Sequence, residues 1–234
     1  MQLQDAPATY FYKLWPWFEA NRIRIIWGGG VIVVAAGLIS FYSWQRDQKE
    51  IVAGKALTQV TRSIPRNATA SQQADLYLKI STDYQDTSAG QRASLQGAAI
   101  LFAAGRYADA QAQFQKFLDA HPGSFFAAQA ALGVATSLDV QGKTDLAAGV
   151  YQRIINSYSD ATAVDSARFA LAQIDERQGK LAEAANNYEA IVHYNPNGSL
   201  GSEARLRLME LKMKLQPASP SAAPALRSSQ TTEP

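Results

Sequence analysis

The chain's two histidines, His121 and His193, are the first candidates for chemistry, because imidazole can bind a metal or carry a proton. His121 stands directly before Pro122, and His193 lies far along the chain with only Glu189 at helical spacing as a partner. Metal sites normally need about three or four clustered ligands. We therefore interpret both histidines as ordinary surface residues.

Asp175 and Glu176 are adjacent carboxylates, and paired carboxylates can perform general acid–base catalysis. Neighbours on a helix point in different directions, so this pair is interpreted as solvated. The sequence contains no Walker loop, no Gly-x-Ser-x-Gly and no His-Glu-x-x-His. The glycines at 28–30 lie inside an apolar stretch and do not form a phosphate loop. The sequence thus predicts no enzyme, no cofactor and no metal site.

Composition narrows the class of protein further. The 234 residues suffice for one domain and an anchor. Because 22 basic side chains nearly balance 20 acidic ones, a nucleic-acid binder with a broad basic surface is disfavoured. The absence of cysteine excludes disulfides, thiolate metal sites and lipid attachment through an N-terminal cysteine. Binding to other proteins remains as the expected activity.

A repeat of 37 residues runs through the chain. Gly105, Gly142 and Gly179 recur at this interval, each between two apolar-periodic segments. A fixed period in this range is typical of a solenoid of stacked helix pairs, in which each pair buries its apolar face against its neighbours. The glycines are predicted to end the first helix of each pair in a left-handed conformation.

The same register extends beyond the three clear copies, with alanines at 37-residue steps from Ala56 to Ala204. The sequence therefore predicts an all-α fold with a solenoid over 56–215. Its units are predicted at about 56–90, 91–127, 128–164 and 165–198, with a capping helix at 200–215. The capping helix is predicted to have one wet face and one dry face, with leucines at Leu206, Leu208, Leu211 and Leu215.

An uncharged stretch of 20 residues, 25–44, precedes the repeats. At about 1.5 Å per residue it would span roughly 30 Å as a helix, the hydrocarbon thickness of a bilayer. Trp27 and Trp44 stand near its ends, where aromatic residues favour the membrane interfaces. No A-x-A-like cleavage site follows it. We therefore predict an uncleaved transmembrane helix at 23–44.

The segments beside this stretch are shorter or more polar. Residues 1–22 are predicted to lie at a membrane surface, with Pro16 breaking any long helix there, or to act as a docking peptide. Residues 45–55 are predicted to be a helical connector, and the proline- and serine-rich residues 216–234 a disordered tail. Basic residues are equally many on both sides of the span, so charge leaves its orientation open.

Small residues in the predicted span could let another membrane helix approach closely. Ala36 and Ser40 form a small-xxx-small pair, and Gly30 and Gly37 are two turns apart. These four residues are the predicted membrane-helix contact, with plain lipid-facing filler as the alternative.

The packing positions of the repeat resemble those of the tetratricopeptide repeat family: a small residue, alanine twelve positions later, an aromatic residue after four more, then proline. The matches are Ala98, Ala110, Phe114 and Pro122, then Ala135, Ala147 and Tyr151, then Ala172, Ala184, Tyr188 and Pro196. The period is longer than the family's 34 residues. The bulky Phe117, Ile154 and Ile191 fill a usually small position. In both respects the repeats are similar to those of outer-membrane assembly lipoproteins and of the Tol–Pal cell-division coordinator.

The overall layout, with Phe18-Glu19-Ala20-Asn21, one span and then repeats, resembles the YfgM-like ancillary subunit of the SecYEG translocon. That resemblance implies a single-pass protein of the bacterial inner membrane, with a cytoplasmic N-terminus and a periplasmic repeat domain. It implies translocon subunits, periplasmic chaperones or envelope-assembly factors as partners. Two alternatives stay open: a coordinator of outer-membrane assembly or cell-wall synthesis and division, and an accessory subunit of a membrane enzyme or transporter.

The first helices of stacked pairs line the concave face of a solenoid, where partners usually bind. Their outward positions predict a partner-binding groove of mixed polar and apolar side chains. The groove residues are Arg92, Leu95, Phe102, Gln129, Leu132, Thr136, Asp139, Phe169, Gln173, Glu176 and Arg177. Inter-repeat packing is the alternative role, above all for Leu132 and Phe169. The predicted function is a membrane-anchored repeat scaffold for protein–protein interactions at the cell envelope, linked to protein translocation or periplasmic chaperoning.

Overall fold

A computed structural model describes the backbone of residues 6–65 and 67–215, and the side chains of the same residues from 19 onwards except 25, 26 and 29. This part of the chain forms helices and no strand. The helices are α1 (Ala6–Ser63), α2 (Ala70–Asp83), α3 (Ser88–Ala103), α4 (Tyr107–Ala120), α5 (Ala127–Val140), α6 (Thr144–Ser157), α7 (Ala161–Arg177), α8 (Leu181–Tyr194) and α9 (Gly201–Leu215). The all-α prediction is confirmed. The predicted tail, 216–234, lies outside the described residues.

Helix α1 is longer than the sequence indicates. It runs without interruption from Ala6 to Ser63 and so includes the predicted span, the connector and the start of the first unit. The prediction that Pro16 breaks the helix is wrong. A proline inside a helix removes one hydrogen bond and can bend the axis, but neither effect has to end the helix.

The predicted transmembrane helix at 23–44 is not confirmed, since no helix in the described part of the chain is long and apolar enough to cross a membrane. Ile25, Ile26 and Gly29 of this prediction lie outside the residues whose side chains are described. The described residues from Trp27 to Trp44 are all exposed.

Contacts divide the chain into two compact units. Among the described residues, the first consists of 6–64 and 79–91, and the second of 65, 67–78 and 92–215. Within the first unit, the Glu50 carboxylate of α1 accepts hydrogen bonds from the backbone N–H groups of Ser88 and Ala89, at 2.7 and 2.9 Å. These groups open α3, so the negative charge lies at the positive end of that helix dipole.

The second unit contains the stacked helix pairs. From α4 to α8, each helix packs on the next one along the chain, so that the series ends with α8 against α9. The first helices α3, α5 and α7 begin at Ser88, Ala127 and Ala161, three, one and four residues before the predicted unit boundaries.

The repeated small and aromatic positions form the core of this unit. The six alanines at the repeated small positions are completely buried: Ala98, Ala135, Ala172, Ala110, Ala147 and Ala184. The aromatic positions Phe114, Tyr151 and Tyr188 are buried beside them. Phe117, Ile154 and Ile191 are buried as well, so the bulky residues fill core space that small ones would leave empty.

Each repeat glycine ends a first helix in the left-handed conformation, as predicted. Gly105, Gly142 and Gly179 have φ angles of +76°, +77° and +75°. Each donates its N–H to the carbonyl three residues earlier, and the next residue donates to the carbonyl five residues earlier. This double hydrogen bond is the Schellman motif, which satisfies carbonyls at the helix end.

The capping helix α9 differs from its prediction. Ala204, Leu208 and Leu211 are buried against α8, in one cluster with Tyr188 and Ile191. Leu206, placed on the dry face by the sequence, is exposed, and Leu215 is largely exposed too. At about 100° per residue, Leu206 lies nearly opposite Leu208 and Leu211 around the helix.

Candidate partner-binding groove

The predicted groove residues lie along α3, α5 and α7 with different degrees of exposure. Arg92, Gln129 and Arg177 are exposed. Five others and Glu176 are half-buried: Phe102, Leu132, Thr136, Asp139 and Gln173. Leu95 and Phe169 are buried.

Leu95 and Phe169 are core residues rather than groove residues, which corrects the groove prediction at Leu95 and agrees with the alternative role, inter-repeat packing, at Phe169. Leu95 belongs to the large apolar cluster that includes Phe114. The Phe169 ring meets the edge of Tyr188 with centroids 5.2 Å apart, in the cluster that α9 completes. Leu132 packs partly against the same core as Leu95 and keeps part of its surface accessible.

An ion pair joins two successive repeats within the groove. The Arg177 guanidinium of α7 donates to the Asp139 carboxylate of α5 at 2.7 Å. Exposed pairs of this kind contribute only about 0–1 kcal/mol to stability. The guanidinium has five N–H donors, so it can still bind an acidic or carbonyl group while Asp139 fixes its position.

Two buried tyrosines reach the groove helices from the second helices of their pairs. The Tyr151 hydroxyl lies 3.2 Å from Thr136 Oγ1, and the Tyr188 hydroxyl donates to Glu176 at 2.7 Å. Burial raises the pKa of both phenols, and for Tyr188 the bond to Glu176 raises the pKa further. Both hydroxyls therefore stay neutral and serve as fixed supports under the groove.

The α3 end of the groove is aromatic. The Phe102 ring meets the edge of Tyr107 with centroids 5.1 Å apart. The Arg92 guanidinium lies 5.6 Å from the centroid of Phe126, within cation–π range. The groove is therefore aromatic at α3 and charged between α5 and α7.

The 37-residue repeat indicates one further candidate for the groove, at the position equivalent to Arg177. Val140 stands 37 residues before Arg177, directly follows Asp139 in the sequence and is exposed. It adds an accessible apolar side chain at the end of α5.

The two histidines and Asp175 contact neighbouring aromatic or amide side chains. The His121 ring lies 5.2 Å from Phe117, and the His193 ring lies 4.8 Å from Tyr194. Asp175 is buried, not solvated as the sequence suggested, and accepts a hydrogen bond from Asn187 at 3.3 Å. Burial raises the pKa of the Asp175 carboxyl, while nearby Lys180 and the Asn187 bond lower it.

The candidate membrane-helix contact lies on the exposed surface of α1. Gly30, Ala36, Gly37 and Ser40 are all exposed. A Cβ added at Gly30 or Gly37 would meet nothing within 4 Å, so the helix has room for a close neighbour there.

Comparison with known proteins identifies the family. A family model for a tetratricopeptide repeat-like domain matches residues 16–151, more than half of the chain. A search of curated proteins gave no match. Domains of this kind are scaffolds for protein–protein interaction, which supports proteins as the partners. The chain therefore belongs to the tetratricopeptide repeat-like family.

Proposed function

We propose that this chain is a membrane-tethered scaffold that holds a segment of another protein in the groove of α3, α5 and α7. One observation carries this proposal: the pairing of Arg177 with Asp139 at 2.7 Å, on the face of α5 that also carries the half-buried Leu132 seven residues before Asp139. A positioned charge next to apolar surface on rigid helices is the mixture that protein segments bind.

The groove favours a segment with an acidic side chain followed by an apolar or aromatic one. The acidic group would bind Arg177, and the apolar group would pack towards Leu132 and Phe102. Because the supporting tyrosines are buried and bonded, the groove loses little entropy on binding.

Photocrosslinking tests the groove directly. A photoreactive side chain at Gln129 or Gln173 is expected to capture a partner in the native host, whereas one at Gln152, exposed on α6, is not. Equal capture from all three positions would contradict the groove.

Charge reversal provides a second test. Arg177→Glu is expected to abolish partner recovery with only a small loss of melting temperature, because the exposed ion pair contributes about 0–1 kcal/mol. Arg153→Glu, on the exposed surface of α6, should leave recovery intact. If both variants recover the partner equally well, Arg177 has no role in binding.

The tether is assigned to residues 23–44. Its support is the run of 20 uncharged residues at 25–44 and the exposure of the described apolar side chains there, among them Trp27, Leu38 and Trp44. Contiguous exposed apolar surface marks a membrane or protein interface. Attachment to a membrane would raise the concentration of the scaffold near membrane machinery.

Extraction of membranes with alkaline carbonate tests the tether. The full chain should remain in the pellet, and a variant with Ile32, Val33 and Val34 changed to Asp should move to the supernatant. Release of the unchanged chain would exclude the tether and leave the groove proposal intact.

The compartment and partner class are further parts of the proposal. We assign the protein to a bacterial inner membrane, with a cytoplasmic N-terminus, a periplasmic repeat domain and translocon subunits or periplasmic chaperones as partners. The support is the layout of one apolar segment followed by repeats. Reporter fusions after Pro234 test the orientation, and a cytoplasmic reporter would exclude the envelope assignment.

An accessory subunit of a membrane complex is the second candidate. The open surface at Gly30 and Gly37 favours it, because a partner helix could approach closely there. Gly30→Leu with Gly37→Leu should reduce recovery of a membrane partner, and Val31→Leu, about 100° away around the helix, should not. An unrelated span in place of 23–44 with full recovery would exclude this candidate.

A further inference from the structure

Helix α9 occupies the place of the first helix of a repeat. It follows α8 as α7 follows α6, and the 37-residue register places Leu206, Met209 and Met213 at the positions of Phe169, Ala172 and Glu176. In α7 these positions are covered: Phe169 contacts Tyr188, Ala172 is completely buried, and Glu176 accepts a bond from Tyr188. Helix α8 provides the cover.

In α9 the same positions have no cover. Leu206, Met209 and Met213 have 56, 57 and 67% of their surfaces exposed. They follow the spacing i, i+3, i+7 and form one stripe, which we call the α9 stripe. A helix with a buried apolar face and an exposed apolar stripe opposite needs a second neighbour, unlike the polar outer face of a usual solenoid cap.

The sequence after α9 is a poor source for that neighbour. A second helix in register would occupy about 218–231, where Pro224 would fall in its interior and Pro220 in its first turn. Proline in a helix interior costs about 3 kcal/mol. This cost favours a cover that comes from another molecule.

We propose that the α9 stripe pairs with the α9 stripe of a second copy of this chain, in antiparallel orientation. The second helix of each repeat runs antiparallel to the first, because a short turn joins them. An antiparallel α9 from a second copy would therefore take the position that α8 takes on α7. Met209 would meet Met209, and Leu206 would meet Met213 of the second copy.

Charge on one edge of the stripe matches this orientation. Glu203, Arg207, Glu210 and Lys214 follow the spacing i, i+4, i+7, i+11 and form a single row. In an antiparallel pair centred near Met209, Glu203 faces Lys214 of the second copy and Arg207 faces Glu210. By symmetry this gives four opposite-charge contacts, whereas wrong registers place like charges together.

The other edge carries Arg205 and Lys212, which would approach each other across the pair. Lys212 already contacts Glu189 at 3.1 Å within its own chain. That carboxylate offsets the repulsion and gives Arg205 an acidic neighbour across the interface.

The pair is small, since one 15-residue helix from each copy forms it. Interfaces below about 1,200 Å² belong to the weak, transient class. The dimer should therefore depend on protein concentration, and high salt should weaken it because the charged row is exposed.

Cysteine crosslinking of the full chain in detergent tests the pairing, since the natural chain has no cysteine. Met209→Cys is expected to oxidise to a covalent dimer, and a mixture of Leu206→Cys with Met213→Cys chains to a mixed dimer. Leu206→Cys alone should stay monomeric, because its two copies would lie about 9 Å apart along the axis, beyond the roughly 7 Å that a disulfide allows. Gln152→Cys, exposed on α6, is the control.

Light scattering from about 1 to 100 μM gives the independent readout. The natural chain should shift from monomer to dimer, and Met209→Lys should stay monomeric with an unchanged melting temperature, because residue 209 is exposed. A monomer at all concentrations, crosslinks no faster than at residue 152, or a dimer that survives Met209→Lys would each overturn the proposal. So would cysteine protection at 209 that disappears on deletion of 216–234 instead of on dilution.

Discussion

Tyr151 and Tyr188 occupy equivalent positions but have partners of different charge. Tyr151 shares a hydrogen bond with the neutral Thr136, and Tyr188 donates to the Glu176 carboxylate. Phe114 fills the same position in the preceding repeat without a hydroxyl. The repeat core therefore accepts phenylalanine, and the two hydroxyls can be removed without changing its shape.

Removing these hydroxyls should destabilise the chain unequally. Tyr188→Phe should lower the free energy of unfolding by about 1.5–3 kcal/mol and Tyr151→Phe by about 0.5–1.5 kcal/mol, because bonds to charged groups are stronger. Urea unfolding monitored by circular dichroism measures both. A larger loss for Tyr151→Phe would show that the charge on Glu176 adds nothing to its bond.

Asp175 should be more stable as a neutral amide at pH 7. Burial raises the pKa of this carboxyl in the fold, so its charged form carries a cost that protonation removes as pH falls. Asn keeps an acceptor for Asn187, so Asp175→Asn should raise the melting temperature at pH 7. The gain should vanish below about pH 3.9, the ordinary pKa of Asp, where the folded and unfolded carboxyls are both protonated.

Thermal unfolding of both chains between pH 3 and 8 gives this comparison. Lys180, which lies near Asp175 and lowers its pKa, opposes the effect of burial. A variant less stable than the natural chain at pH 7 would mean that attraction to Lys180 outweighs the cost of burial.

At the scale of the element, the turn glycines and the helix glycines have opposite roles. Gly142 has a φ of +77° at the end of α5, whereas Gly149 lies within α6. A Cβ at either position would meet nothing within 4 Å. Substitutions at these two sites therefore test the effect of backbone conformation without a change in packing.

Alanine at the two sites should change stability in opposite directions. Gly142→Ala should cost about 1–2 kcal/mol because an L-residue is strained in the left-handed region. Gly149→Ala should gain about 0.5–1 kcal/mol because alanine favours a helix interior. Equilibrium unfolding of both variants measures the free energies. A gain in stability at both sites would argue against the left-handed turn at Gly142.

Much of the repeat architecture could be predicted from local signals. The glycine spacing predicted the left-handed turns, and the alanine and aromatic positions predicted the core, because each signal depends on a residue's own neighbours. The surroundings of Asp175 and Leu206 depend on other helices. Asp175 is buried beside Asn187 of α8, and Leu206 is exposed because none of the described helices covers its side of α9. Leu95 and Phe169 are buried in the core, and not exposed in the groove, because other helices pack on them.

At the scale of the whole molecule, stability in a stacked array should depend on position. Each pair contacts only its neighbours, so the last helix can open alone while a central helix cannot. Ile154 of α6 is completely buried in the middle of the array, and Leu211 of α9 is almost completely buried at its end.

Large-to-small substitutions at these two residues should destabilise different numbers of helices. Ile154→Ala and Leu211→Ala should each cost about 2–5 kcal/mol locally. Hydrogen exchange should increase in α5, α6 and α7 for the first, and only in α8 and α9 for the second. Equal increases in all the helices would indicate a single cooperative unit instead of a stacked array.

The unbroken α1 has a mechanical consequence. Gly and Ser linkers behave as slack coils, but only helix lies between the apolar residues up to Trp44 and Glu50, which holds the first turn of α3. The six residues from Trp44 to Glu50 rise about 9 Å as a stiff strut. A force on the apolar segment would therefore be transmitted directly to the hydrogen bonds between Glu50 and α3. The apolar segment and the first turn of α3 would then move together.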